Sequence, residues 1–267
     1  LKPLLDVFAI ACFLFKEKPA RYALALAALF AASPLYDQEE GRTLFVARSF
    51  FGQHRVIADK KGFHWLIHGG IVHGGQSQEP ALARRPLSYY HPAGPFGRAF
   101  ALLASGVGRT QSAPYGAVGR APVAVVGLGT GSLACYAAVG QRWTFYEIDP
   151  VVERLARDER LFTFMRDCPA DVVIGDARLR LAEAPARSFG WIVVDAFGGD
   201  SIPVHLLTVE ALGLYLDKLA PGGILALHLS SRYLDLEPVV GALASQLGLA
   251  VLYAADTEVD QDSGKAG

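Results

Sequence analysis

The sequence predicts an α/β fold built on a doubly wound parallel sheet, and three observations predict it. The first is a strand–loop–helix–strand unit at 123–148: the apolar run VAVV, the loop GLGTG, a helical stretch at 132–139 and a second apolar run at 143–148. The second is that strand-like and helix-like runs keep alternating afterwards, which is the signature of parallel strands joined by helical crossovers. The third is that residues 43–76 hold short strand-like runs separated by turn signals, with no helical run between them. That reads as a small antiparallel β unit ahead of the main sheet, itself preceded by apolar N-terminal helices.

Taken in order, residues 4–15 and 22–36 are apolar apart from Asp6 and Ser33, and the basic stretch KEKPAR separates them. Each run is shorter than the ~20 residues that span a bilayer. They read either as ends of membrane helices or as amphipathic helices packed on the domain. The β unit offers strands at 44–51, 55–58, 63–68 and 71–73, with turns at Gly52, 59–62 and Gly69–Gly70. A loop-rich stretch at 80–95 leads to a helix at 96–107 and a linker at 108–121. Beyond the glycine loop, a helix at 150–157 is capped by Asp149 with Pro150 at its first position. Strands follow at 171–174 and 191–194, then a helix at 209–219 capped by Thr208, a strand at 224–228, a helix at 236–247 and a sixth strand at 249–254. The domains are thus 1–42, an apolar helical segment; 43–95, the small β domain; and 96–267, the ligand-binding sheet.

Composition narrows the function. A formal net charge of −1 gives no case for nucleic acid or for an anionic membrane surface. Charged residues make up 19%, and the mean hydropathy of +0.27 owes much to the N-terminus. Cys12, Cys135 and Cys168 are scattered without CxxC spacing. A disulfide framework is not expected, Cys135 reads as a packed core thiol, and a reduced compartment fits. His64, His68 and His73 lie in strands and turns without cysteine partners or HExxH, so no metal site is assigned.

Gly127, Gly129 and Gly131 permit positive φ and let a ligand lie against bare backbone. Glu147 and Asp149 sit at the end of the second strand, where a carboxylate suits a pair of ribose hydroxyls. The ligand is therefore read as a nucleoside compound, although GxGxG is not the GxGxxG of dinucleotide sites. Capping is the preferred role for Asp149. Asp176 and Asp195 also fall at carboxyl ends of strands, where doubly wound sheets place their ligands.

GLGTGSLACYA…FYEIDPVVERLA resembles the S-adenosyl-binding core of class I methyltransferases and of their relatives, the spermidine synthases (polyamine aminopropyltransferases). GDAR at 175–178, VVDAFGGDSIPVHLLT at 193–208, LAPGGILALHLSSRYLDL at 219–236, and RSFFGQHRV and RPLSYYHPAGPFG upstream resemble the spermidine synthase-like domains of bacterial membrane-fused proteins. The resemblance covers about residue 48 to the C-terminus. It implies a Rossmann-like methyltransferase fold whose seventh, antiparallel strand the sequence stops short of. It also implies membrane helices ahead of the catalytic part, at the cytoplasmic face or in the cytoplasm, and commonly a homodimer. A basic loop opposite the catalytic part conflicts with that topology if 22–36 spans fully, because basic loops favour the cytoplasm.

By the same resemblance the reaction moves an aminopropyl group from decarboxylated S-adenosylmethionine to a small-molecule amine, a polyamine such as putrescine, without a metal. Glu147 holds the ribose, Asp176 and Ala177 border the adenine, and Gly127, Gly129, Thr130 and Gly131 cradle the donor. Asp195 is the general base, Tyr89 its active-site tyrosine, and Tyr90, His73 and Asp200 line the acceptor side, with Gln76 a minor donor contact. Three departures matter: Thr130 replaces an acid that meets the donor's amino end, Gly198 replaces a second acid three residues after the catalytic one, and His73 replaces a glutamine. They leave intact S-adenosylmethionine and methyl transfer, or a non-catalytic nucleoside-binding module, as alternatives.

Overall fold

A computed structural model describes residues 11–105, 120–198, 202–230, 234–260 and 262–265. Among the described residues the N-terminal part holds the helix α1 (Pro19–Glu40), started by Pro19 at its first turn and preceded by a 3-10 turn at Phe13–Phe15. Among the described residues no helix is long and apolar enough to cross a membrane. Most of the expected helix at 4–15 lies outside them, as does most of the linker at 108–121.

The small β unit is a four-stranded antiparallel sheet of β1 (Arg42–Ser49), β2 (Gly52–Ala58), β3 (Phe63–His68) and β4 (Ile71–Ser77), in that order. A short loop region and α2 (Pro95–Ser105) lead into the main sheet. Its strands are β5 (Val123–Val126), β6 (Trp143–Glu147), β7 (Asp171–Ile174), β8 (Phe189–Val194) and β9 (Leu219–Leu227). All neighbours are parallel and the order is β7-β6-β5-β8-β9. The chain therefore reverses direction across the sheet between β5 and β8, and the crevice at that switch point is where such sheets bind ligands.

The helices are α3 (Pro150–Arg157), α4 (Phe164–Asp167), α5 (Ala177–Glu183), α6 (Val209–Lys218) and α7 (Glu237–Gln246). Alternation along β5 explains the two layers. Val123 and Val125 face a cluster with Phe100 of α2, Leu133, and Val152 and Ala156 of α3. Ala124 and Val126 face Leu181 of α5 and Leu212 and Tyr215 of α6. A strand buried on both faces reads as an unbroken apolar run, and all four residues of β5 have no exposure.

Three expectations are corrected. The stretch after the glycine loop is a 3-10 turn, Ser132–Tyr136, not a helix to 139; it ends where Ala137 turns extended. Residues 249–254 form no strand: the apolar run is there, but it has no ladder partner among the described residues, and Leu252 and Tyr253 are exposed. Cys135 and Cys168 form a disulfide. Their separation of 33 residues carries no local motif. They meet because α4 packs against the 3-10 turn, which only the assembled fold shows. Cys12 is a free, buried thiol.

Candidate active site

The site is built where β5, β6, β8 and β9 end on one edge. Leaving β5, the chain turns through Gly127, Gly129 and Gly131, all with positive φ. A Cβ at Gly127 would collide with the carbonyl oxygen of Asp195, so the loop and the end of β8 touch backbone to backbone. A Cβ at Gly131 would fall 2.5 Å from Met165 Sδ on α4. Thr130, between them, is buried, and its hydroxyl lies against Gly74 of β4 without a hydrogen-bond partner among the described residues. It faces the small sheet. The turn that follows is too short to carry much of a helix dipole.

Glu147 ends β6 and is 7% exposed. One carboxylate oxygen accepts the N–H of Leu128 in the glycine loop and the other accepts the N–H of Asp149, each at 2.9 Å. Burial pushes its pKa up, against those backbone donors. Asp149 caps α3 as expected, accepting the N–H of Val151 at 2.9 Å. It does more than cap: its other oxygen is bonded by Ser49 of β1 and by His54 Nε2 of β2 at 2.7 Å. Burial raises its pKa, but Ser49, the Val151 N–H and His54 outweigh that and hold it below the usual carboxylate range.

Asp195 follows β8 directly, and Asp195 N donates to the Val126 carbonyl. Its Oδ1 is 2.6 Å from His228 Nδ1. Burial pushes its pKa up and the His228 hydrogen bond pulls it back. Tyr89 lies 5.0 Å, ring to ring, from His228; Phe197 lies at 5.0 Å, Phe96 at 6.1 Å and Tyr90 at 6.3 Å. Tyr90 is buried, its hydroxyl has no hydrogen-bond partner among the described residues, and its carbonyl accepts from the Tyr136 hydroxyl.

The structure thus brings Gly127, Gly129, Gly131, Glu147, Asp195 and the Tyr89 loop to one edge of the sheet. Asp176 is the N-cap of α5, accepting the N–H groups of Arg178 and Leu179, and Ala177 is that helix's buried first residue. His73 of β4 is half-buried, its ring lies tilted at 5.3 Å from that of His68, and its carbonyl oxygen abuts Gly129. Gln76 is buried with its amide spent on Thr163 and Ala83. Asp200 lies outside the described residues. His228 escaped the sequence reading; its one signal was a polar ring closing the apolar run ILAL at the carboxyl end of a strand. Among the described residues no group of three or more His, Cys, Asp or Glu is placed to hold a metal ion.

No protein-family model matches the sequence. Over 108 residues the chain is 35% identical to a polyamine aminopropyltransferase of Vibrio vulnificus (strain CMCP6), a stretch that covers 39% of this chain and 36% of that one. Its fold is similar to a spermidine synthase from Thermotoga maritima, with a TM-score of 0.54 and 15% identity over 78% of this chain and 63% of that one. It is similar to a spermidine synthase in complex with the transition-state analogue AdoDATO, with a TM-score of 0.53 and 15% identity over 77% of this chain and 64% of that one. A probable spermidine synthase from Corynebacterium glutamicum ATCC 13032 gives a TM-score of 0.51 at 20% identity, over 70% of this chain and 63% of that one. The chain spans about a third of the curated relative and under two thirds of each solved structure. With a Rossmann-like methyltransferase sheet behind a small antiparallel one, the chain has the fold of the spermidine synthases and is a sequence relative of a polyamine aminopropyltransferase.

Proposed function

We propose that the protein transfers an aminopropyl group from decarboxylated S-adenosylmethionine to a small amine such as putrescine. The observation that carries this reading is Asp195: a carboxylate at the switch point, beside the glycine loop and on the same sheet edge as Glu147, bonded to His228, whose ring lies among Tyr89, Phe96 and Phe197. The acceptor is an alkylammonium, pKa about 10, which at neutral pH has no lone pair to attack with. Asp195 binds that cation and takes its proton as the nitrogen closes on the carbon next to the sulfonium. The C–N bond forms, the C–S bond breaks, and its electron pair leaves on sulfur as a neutral thioether. Glu147 retains lone pairs for the ribose hydroxyls, Asp176 and Ala177 edge the adenine, and Tyr89 with Tyr90 hydrogen-bonds the amine. His73 and Asp200 complete the acceptor side of the reading. Use of a cytoplasmic donor, attachment to a membrane through the apolar N-terminal segment, and a homodimer belong to the same reading; exposed Leu24 and Phe30 on α1 agree with the attachment.

Asp195→Asn is expected to keep donor binding and lower turnover at least ~100-fold, as loss of a general base does. Unchanged turnover would move the chemistry elsewhere. Methyl transfer from intact S-adenosylmethionine is the second reading, favoured by Thr130, whose buried hydroxyl leaves no carboxylate at that place for the donor's amino end. Thermal-shift titration with both sulfonium compounds separates the two. A larger shift with the intact compound would reverse the ranking.

A further inference from the structure

The β8–β9 ladder sets up a pair that the reaction described above does not by itself require. Val194 is paired with Leu227, and the His228 N–H donates to the Val194 carbonyl at 3.0 Å. The next residue on β8 is Asp195 and the next on β9 is His228. Parallel register therefore sets the two side chains next to each other, and Nδ1 meets Oδ1 at 2.6 Å. The imidazole cannot swing away, because rings of Tyr89, Tyr90, Phe96 and Phe197 surround it at 5.0–6.3 Å. Both side chains still reach the surface, at 19% exposure for Asp195 and 14% for His228.

We propose that His228 is a positioning residue for the transfer: it holds Asp195 by Oδ1, keeps the carboxylate ionised, and leaves Oδ2 as the oxygen that meets the acceptor's ammonium. This rests on the reading of Asp195 as the base. The need is physical. A carboxylate withdrawn from most of its water drifts towards its neutral acid form, which neither binds a cation nor takes a proton. A ring N–H aimed at one oxygen opposes that drift and fixes the carboxylate's rotation. In the step itself one ammonium proton passes to Oδ2, the freed lone pair forms the C–N bond, and the C–S pair departs on sulfur. His228 keeps Oδ1 throughout. The titratable groups that face the pair among the described residues are Tyr89 and Tyr90, from the loop ahead of α2. Glu147, on the other side of β5, is bonded to Leu128 and Asp149.

The experiment is the pH dependence of kcat/KM for the wild type, His228→Phe and His228→Asn, with donor affinity measured in parallel. His228→Phe keeps a ring in the aromatic box and removes the donor. It is expected to lower kcat at least tenfold, to leave donor affinity within about twofold, and to move the acid limb of the profile upward by about one pH unit or more. The sign follows from burial raising the carboxyl pKa and His228 lowering it: without the ring N–H, Asp195 stays protonated to higher pH. His228→Asn, which can still donate to Oδ1, is expected to restore the limb at least halfway, and it carries the test if the phenylalanine variant fails to fold. An unmoved acid limb in a folded variant, or an asparagine variant no different from phenylalanine, would overturn the proposal. If the wild type turns over neither sulfonium donor, the functional reading fails and the pair is judged directly. NMR titration of the 13C-labelled Asp195 carboxyl then has to show a higher pKa in His228→Phe, and an unchanged value would reject His228.

Discussion

Glu147 fastens the glycine loop to the end of β6. Its two oxygens accept the N–H groups of Leu128 and Asp149, so the side chain read as a sugar ligand is also what shapes the loop under the ligand. Each hydrogen bond to a charged acceptor is worth ~1.5–3 kcal/mol, and a buried N–H left bare costs a similar amount. Glu147→Ala is therefore expected to weaken donor binding by roughly 10- to 100-fold, at 1.4 kcal/mol per tenfold. Equilibrium titration of the donor checks it, and full affinity in the variant would take the sugar away from this carboxylate. The acids were legible in the sequence because each ends an apolar run. What each one bonds to was less so. Asp149 and Asp176 both cap helices, as their positions ahead of Pro150 and Ala177 allow. The extra hold on Asp149 from Ser49 and His54 spans 100 and 95 residues of sequence, where no local pattern reaches.

Elements were read most accurately where an apolar run is short and buried on both sides. The strand at Val123–Val126 falls where the sequence placed it, and α6 begins one residue after its Thr208 cap, whose hydroxyl accepts the Ala211 N–H. Residues 249–254 show the limit of that method, since periodicity reports a segment able to pair and says nothing of whether a neighbour is there. The disulfide exposes a second limit. It ties the 3-10 turn behind the glycine loop to the residue after α4, closing a loop of 33 residues. Such a cross-link removes unfolded-state entropy worth about 3–4 kcal/mol. Reduction, or Cys135→Ser with Cys168→Ser, is expected to lower Tm by about 10 °C. Differential scanning with and without reductant measures this. An identical Tm, together with three titratable thiols under oxidising conditions, would show that the cross-link is not formed in solution.

At the scale of the whole molecule, the two sheets are joined by a continuous contact. Val56 and Leu66 of the small sheet pack with Val151 and Leu155 of α3 and with Phe162. Around that apolar patch, His54 and Ser49 bond Asp149, Gln76 bonds Thr163 twice, and His64 bonds the Leu161 carbonyl. His68 stacks on His54 at 4.4 Å and reaches the Phe51 carbonyl at 2.9 Å. Burial, and then the neighbouring His54, lower the His68 pKa despite that carbonyl; burial and Arg85 lower that of His91. A histidine whose folded pKa is depressed binds fewer protons folded than unfolded as pH falls below about 6.5. Stability is thus full above that pH and lost on the acid side of it. Tm is expected to fall between pH 6.5 and 5, and His68→Gln is expected to flatten part of the slope. A wild-type Tm that is level across that range would show that neither histidine is held neutral.

The Asp149 amide belongs to both halves of this arrangement. Its N–H is gripped by Glu147, while its carboxylate is gripped by the small sheet through Ser49 and His54. On the reading of Glu147 as the sugar's partner, filling the nucleoside cleft and seating the small sheet become two loads on a single lever. Linkage then makes them reciprocal: a ligand that draws Glu147 into place tightens the sheet's seat by the same factor by which a well-seated sheet sharpens the ligand's grip.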